Sequence, residues 1–172
     1  MPFRDGPLIR DARPEEMPAV GDLRVAAYSA GGFLTAADTG YAVRLRTLGT
    51  GSPATILVAA QPDGELMGTI MLQCWPDAEE VVAGPGEAEI RALAVAPGAQ
   101  RGGVGRELLN ALVERAGSLG VQNLLLSTLP DMHAAHRLYE RAGFRRLPER
   151  DWSPRPDLDL LVYVLPLPAL VP

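Results

Sequence analysis

The residues most able to do chemistry lie between Glu87 and Arg106. Ile90-Arg91-Ala92-Leu93-Ala94-Val95 reads as a strand, Ala96 to Ala99 breaks it, and Gln100-Arg101-Gly102-Gly103-Val104-Gly105-Arg106 leads into a helix. Glycines let a backbone approach a ligand closely, and the free N–H groups of a helix start favour an anion. Arg91 to Arg106 holds three Arg and no acidic residue, in a chain of formal net charge −5. A phosphate group fits there on physical grounds. A Walker A loop needs a Lys after its last Gly, and the chain has none. A dinucleotide fingerprint needs a third Gly where Leu108 stands, so that match is weak. A tight strand-to-helix turn without a ligand is the plain alternative; the neighbouring Arg residues argue against it. Just upstream, strand alternation puts Glu87, Glu89 and Arg91 on one face.

These residues have to be positioned by a chain of 172 residues, long enough for one domain with a real core. Apolar residues make up 47% and charged residues 22%, as in an ordinary globular protein. The acidic balance argues against a sequence-independent grip on nucleic acid. All 16 basic residues are Arg, so the protein cannot modify lysines of its own. A single cysteine, Cys74, cannot form an internal disulfide. Met1 to Gly6 lacks a signal-peptide pattern, and the apolar tail Leu160 to Val171 is interrupted by Pro166 and Pro168 and too short to span a bilayer. A cytoplasmic protein without membrane association is expected.

The periodicity predicts a strand over Leu8 to Arg13 and a helix from Pro14 to Ser29, with Pro14 in the first turn. A shorter helix follows over Asp38 to Leu48. Ala54 to Gln61 and Glu65 to Trp75 form a hairpin around Pro62-Asp63-Gly64. After an acidic loop, Pro76 to Gly86, come a strand (Glu87 to Val95), a helix (Gly103 to Gly117), a strand (Val121 to Leu129) and a helix (Asp131 to Ala142). The helix over Gly103 to Gly117 has Leu108, Leu109, Leu112, Val113 and Ala116 on one face. Gly143 suits a helix C-cap. Phe144 to Leu147 and Leu158 to Leu165 are the last expected strands. The fold class is α/β, a single domain over residues 1–172, with a mixed sheet flanked by helices on both faces.

These residues resemble the GNAT superfamily of acetyl-CoA-dependent N-acetyltransferases. The loop pattern Gln/Arg-x-x-Gly-x-Gly/Ala is met by Gln100-Arg101-Gly102-Gly103-Val104-Gly105, and Leu138-Tyr139-Glu140-Arg141-Ala142-Gly143-Phe144 is similar to the Leu-Tyr-x-x-x-Gly-Phe of the last helix. The resemblance covers about Leu8 to Leu165 and implies a mostly antiparallel GNAT-like sheet. It implies that the amides of Gln100 to Arg106 hold the pyrophosphate of acetyl-CoA. It also implies that Leu93, Ala94 and Val95 bind the thioester carbonyl and the pantetheine arm. No metal is implied.

An alkylammonium acceptor with a pKa of about 10.4 is mostly charged at neutral pH, and freeing its lone pair costs about 4.6 kcal/mol. A base reduces that cost, and an acid should protonate the departing thiolate. The resemblance makes Glu89 the base, directly or through water, with Glu87 in reserve, and Tyr139 the acid. The competing readings are a carboxylate merely paired with an Arg, and a tyrosine packed beneath its helix. One position departs from the family pattern: Met132 stands where many members carry an Asn that bonds the pantetheine. His133 and His136, three residues apart without a carboxylate or thiolate partner, make a poor metal site.

On the acceptor side the resemblance points to Tyr28, Phe33, Tyr41 and Arg150-Asp151-Trp152. Asp77, Glu79 and Glu80 would favour a cationic amine, or simply form a solvated loop. The expected partner is a small-molecule amine or a peptide; a homodimer would follow from family habit alone. A non-catalytic acyl-CoA-binding sensor of the same fold is the rival reading. Retention of both Glu89 and Tyr139 favours the enzyme.

Overall fold

A computed structural model of the chain describes residues 6–78 and 80–171. The N-terminal residues Met1 to Asp5 and the acidic-loop residue Glu79, both read above, lie outside the described residues. In chain order the elements are β1 (Leu8–Asp11), α1 (Met17–Ala30), α2 (Thr39–Thr47), β2 (Thr55–Ala60), β3 (Leu66–Cys74), β4 (Glu87–Val95) and α3 (Val104–Ser118). β5 (Asn123–Thr128), α4 (His133–Arg141), β6 (Arg145–Arg146), β7 (Trp152–Arg155) and β8 (Leu158–Pro166) complete them. The strands make a mixed, mostly antiparallel sheet in the order β1-β2-β3-β4-β5-β8-β6, with β7 on β8. The contacts divide the chain into two units. The first runs to Met71 and includes Ala92–Ala111; the second is Leu72–Arg91 and the chain from Leu112 onward.

In the first unit, β1 pairs antiparallel with β2, from Leu8 opposite Ala60 to Asp11 opposite Leu57. Pro14 opens a short 3-10 turn, Pro14–Glu16, ahead of α1. The Glu16 carboxylate fixes that turn, accepting from the Arg13 N–H at 2.8 Å and from Arg10 of β1 at 2.7 and 2.8 Å. α1 and α2 approach closely at Gly21, where a Cβ would stand 2.4 Å from the Arg46 carbonyl oxygen. The fully buried Arg24 completes the junction, with Nη1 donating to the Leu45 and Leu48 carbonyls at 3.1 and 2.8 Å. The last carbonyls of a helix lack partners within it, and a cation there suits the helix dipole. Leu23 and Ala27 of α1 pack with Ala94 of β4.

In the second unit, β5 is central. It runs parallel to β4, with Glu89 opposite Leu125, and antiparallel to β8, with Leu126 opposite Tyr163. Its Leu124-Leu125-Leu126 run is buried throughout, as expected of a strand covered on both faces. Val81, Leu125, Val162 and Val164 form a cluster against which Leu147 and Trp152 pack. The expected strands and helices recur with ends moved by a few residues. β7 is an addition: Pro154 and the flanking charges hid it, because a proline is tolerated only on a strand's unpaired side or edge. Trp152 anchors it, its Nε1 donating to Ser127 Oγ at 2.9 Å.

Candidate active site

In the first unit, Ala92 of β4 has a φ of +51°, rare for a side chain with a Cβ. The strand's alternation is interrupted there: Ala94 turns into the core, while Leu93 and Val95 stay partly accessible. A 3-10 turn, Pro97–Ala99, leads into the glycine loop. Arg101 and Gly103 adopt φ of +68° and +84°. The Gly103 carbonyl accepts the Glu107 N–H at 3.0 Å, which starts the helical ladder. The amides of Val104, Gly105 and Arg106 thus lie in the first turn, where no carbonyl precedes them within the helix. Arg101, Gly102 and Arg106 are exposed. Gln100 reaches back to the Val95 carbonyl at 3.5 Å. First-turn backbone donors beside the two exposed guanidiniums of Arg101 and Arg106 fit a diphosphate.

The second unit holds the two carboxylates of β4 in opposite states. Glu87 is gripped by Arg150, Nη1 to Oε2 at 3.0 Å and Nη2 to Oε1 at 2.9 Å, and accepts the Ala83 N–H at 2.7 Å. Burial acts to raise its pKa, but the Arg150 and Ala83 hydrogen bonds outweigh it and the net shift is downward. Glu89 is wholly buried. Its carboxyl is pushed up to about 7, first by burial and then by the Glu80 carboxylate, with Arg91 acting in the opposite sense. The Glu80 carboxylate acts on Glu89 as a like charge that disfavours its ionisation. Arg91 holds Glu80, Nη2 to Oε1 at 2.7 Å.

α4 carries Tyr139, buried against Phe144 and Tyr163 at ring separations of 5.8 and 6.2 Å. Burial raises its phenol well above the ordinary value. The motif that follows has a plain structural purpose. Gly143, with φ of +96°, ends the helix in the left-handed conformation, and the Phe144 N–H bonds the Tyr139 carbonyl at 3.0 Å. Phe144 is thereby folded back beneath Tyr139.

Met132 caps α4, and its Sδ receives the Thr128 hydroxyl at 3.6 Å. His136 Nε2 lies 2.9 Å from the Leu129 carbonyl oxygen, and its ring is edge-on to His133. No group of three metal-binding side chains occurs among the described residues. None of their helices is long and apolar enough to cross a membrane.

Of the residues expected on the acceptor side, Tyr41 is exposed. The Arg150-Asp151-Trp152 segment is tied internally: Arg150 to Glu87, Asp151 to Arg146 at 2.6 and 2.8 Å, and Trp152 to Ser127. By sequence, Arg150 belongs to the acceptor side and Glu80 to an acidic loop. Their partners are 63 and 11 residues away in the chain, and no local pattern signals such pairs.

Residues 19–144 match the acetyltransferase (GNAT) family. A mycothiol acetyltransferase from Cellulomonas flavigena is 34% identical over 96 residues, 55% of this chain and 27% of that protein. The chain therefore spans well under half of that relative. Among solved structures, a GNAT-family acetyltransferase from Staphylococcus aureus aligns over 94% of this chain and 99% of its own, with a TM-score of 0.70 at 16% identity. A ribosomal-protein-alanine N-acetyltransferase from Brucella melitensis aligns over 93% and 99%, with a TM-score of 0.66 at 23% identity. At these identities the structures speak for the fold alone, and the family match supplies the rest: the chain belongs to the acetyltransferase (GNAT) family.

Proposed function

We propose that the protein is an N-acetyltransferase that passes the acetyl group of acetyl-CoA to a primary amine of a small-molecule or peptide acceptor, by direct attack in a ternary complex. Acetyl-CoA supplies the acetyl thioester. The Gln100 to Arg106 amides and the Arg101 and Arg106 guanidiniums would hold its diphosphate, and the backbone of Leu93, Ala94 and Val95 its pantetheine arm. Glu89 takes the proton that the attacking ammonium must lose. Tyr139 keeps its hydroxyl proton at working pH and donates it to the departing sulfur, and the second N–H proton, shed as the tetrahedral intermediate collapses to the amide, restores the phenol. Glu87, ionised and occupied by Arg150, is the weaker base.

The observation that carries this reading is the complete burial of the Glu89 carboxyl, which pushes its pKa up to about 7. A general base works best with a pKa close to the operating pH, and an ordinary surface glutamate lies far below that. One relative is named mycothiol acetyltransferase, so small molecules are the first acceptors to screen.

The test is calorimetric titration with acetyl-CoA and with CoA, followed by an amine screen with thiol release as the signal. Binding with turnover that is lost in Glu89→Gln supports the proposal. Binding without turnover on any amine would favour the sensor reading. No binding of either would remove the donor assignment.

A further inference from the structure

Glu89 has no surface exposure, and Gln73 of β3 keeps only 2% of its own. Both carboxylate oxygens of Glu89 and the Gln73 Oε1 lack a hydrogen-bond partner among the described residues. The main chain brings these two side chains together. The Trp75 N–H, one residue past β3, donates to the carbonyl of Glu87, the first residue of β4, at 3.0 Å. Counting inward from that pair, Cys74 stands opposite Ala88 and Gln73 opposite Glu89. At the other end of the strand pair the Ala96 N–H donates to the Met67 carbonyl at 2.8 Å, a register one residue out of step with the first. Ala92, with its φ of +51°, takes up the extra residue as a β-bulge does. Glu89 precedes the bulge and lies in the regular stretch. Residues directly opposite on antiparallel strands project to the same face, with Cβ atoms about 4.5–5.5 Å apart.

Three buried acceptor atoms thus share one patch of one sheet face, and buried polar atoms are ordinarily paired. The charged groups around them are engaged elsewhere: Glu87 with Arg150, and Glu80 with Arg91. On the β5 side Glu89 faces Leu125. An ionised carboxylate and an amide oxygen can only accept, but a protonated carboxyl donates. We propose that Gln73 is the positioning residue of the general base: its side-chain carbonyl accepts a hydrogen bond from the Glu89 carboxyl once that group has taken the acceptor's proton. This inference rests on the reading of Glu89 as the base. No proton passes to Gln73. The acceptor ammonium loses its proton to Glu89, which holds it with one oxygen toward β3 and later releases it to water, so Glu89 ends each cycle ionised. Gln73 acts through Glu89 and does not touch the substrate.

The experiment is infrared difference spectroscopy of the full chain between mildly acidic and mildly alkaline pH. The carboxylic C=O band that disappears as Glu89 ionises is assigned by its absence in Glu89→Gln. Gln73→Met keeps the side-chain volume and has no carbonyl to offer, so the Glu89 band should move to higher frequency, as for a carboxyl without a hydrogen-bond partner. A band at the parent's frequency in Gln73→Met overturns the proposal. Should that variant fail to fold, the parent protein decides: with carbonyl-labelled glutamine, the Gln73 side-chain NMR resonance, assigned through its own backbone, should shift with the same midpoint as the Glu89 band. A resonance that stays still through that midpoint overturns the proposal equally. The base assignment fails separately: if Glu89→Gln transfers acetyl groups as fast as the parent, the reading beneath the proposal falls whatever the spectra show.

Discussion

Arg150 holds Glu87 with both ends of its guanidinium, at 2.9 and 3.0 Å, across 63 residues of chain. Two residues further along β4, Glu89 is buried and its carboxyl is pushed up to about 7, by burial first and the Glu80 carboxylate second. One strand face thus presents one ionised, paired carboxylate and one poised to titrate near neutrality. Environments that drive two similar groups apart in this way separate their chemical roles.

Glu89→Gln should lower kcat by about a hundredfold or more, the range of general-base contributions. The rising limb of the parent's pH–rate profile should have its midpoint near 7 and disappear in the variant. Glu87→Gln should keep that limb and lose stability, by roughly 1.5–3 kcal/mol for the charge-assisted hydrogen bonds removed. Initial rates across pH, set beside urea denaturation, separate the two. A Glu87→Gln variant that loses the limb would reverse the assignment.

The same titration predicts how stability depends on pH. The folded pKa of Glu89, about 7, lies above its ordinary value of 4.5. Between these values the folded state binds more protons than the unfolded state, so stability from this group is fully present below 4.5 and is lost as pH rises through 7. The shift corresponds to about 3 kcal/mol. Glu89→Gln should therefore be more stable than the parent above neutrality, and the difference should close toward pH 4. Glu16 has the opposite sign. Its hydrogen bond from Arg10, followed by that from the Arg13 N–H, lowers it to about 2. The stability it contributes is present above 4.5 and is lost as pH falls toward 2. Denaturation midpoints of Glu16→Gln should fall below the parent's at neutral pH and converge with them in acid.

Tyr139→Phe should reduce kcat by about ten- to a hundredfold with little change in KM, as removal of a general acid does. Burial keeps the Tyr139 phenol protonated well beyond the ordinary tyrosine range. An ultraviolet difference titration of the folded protein should therefore show no ionisation attributable to Tyr139 at ordinary tyrosine pH. A Phe variant with unchanged turnover would leave Tyr139 as the packing partner of Phe144 and Tyr163 alone.

Two glycine positions separate donor binding from folding. Gly103→Val places a branched side chain at a φ of +84° beside Arg106, and calorimetry should show CoA affinity falling about tenfold or more through the misplaced first-turn amides. Gly21→Ala puts a Cβ 2.4 Å from the Arg46 carbonyl oxygen. Its cost should be about 1–3 kcal/mol of stability, the ordinary range for overpacking, read as a lower denaturation midpoint.

The sequence by itself determined the order of strands and helices, the glycine loop at the start of α3, and the Tyr139 helix with its Gly143 cap. These are local matters: apolar period, turn residues, and the anion affinity of a helix start. β7 escaped because Trp-Ser-Pro-Arg carries neither alternation nor freedom from proline, and only β8 alongside makes it a strand. The sequence could also place Glu87, Glu89 and Arg91 on one face, but it could not rank the two carboxylates. That ranking comes from Arg150 reaching Glu87 and from the burial of Glu89 with the Glu80 charge acting on it. A carboxyl's proton affinity is set by desolvation and by charges within a few ångströms, and which charges come that close is decided only when distant segments of the chain meet.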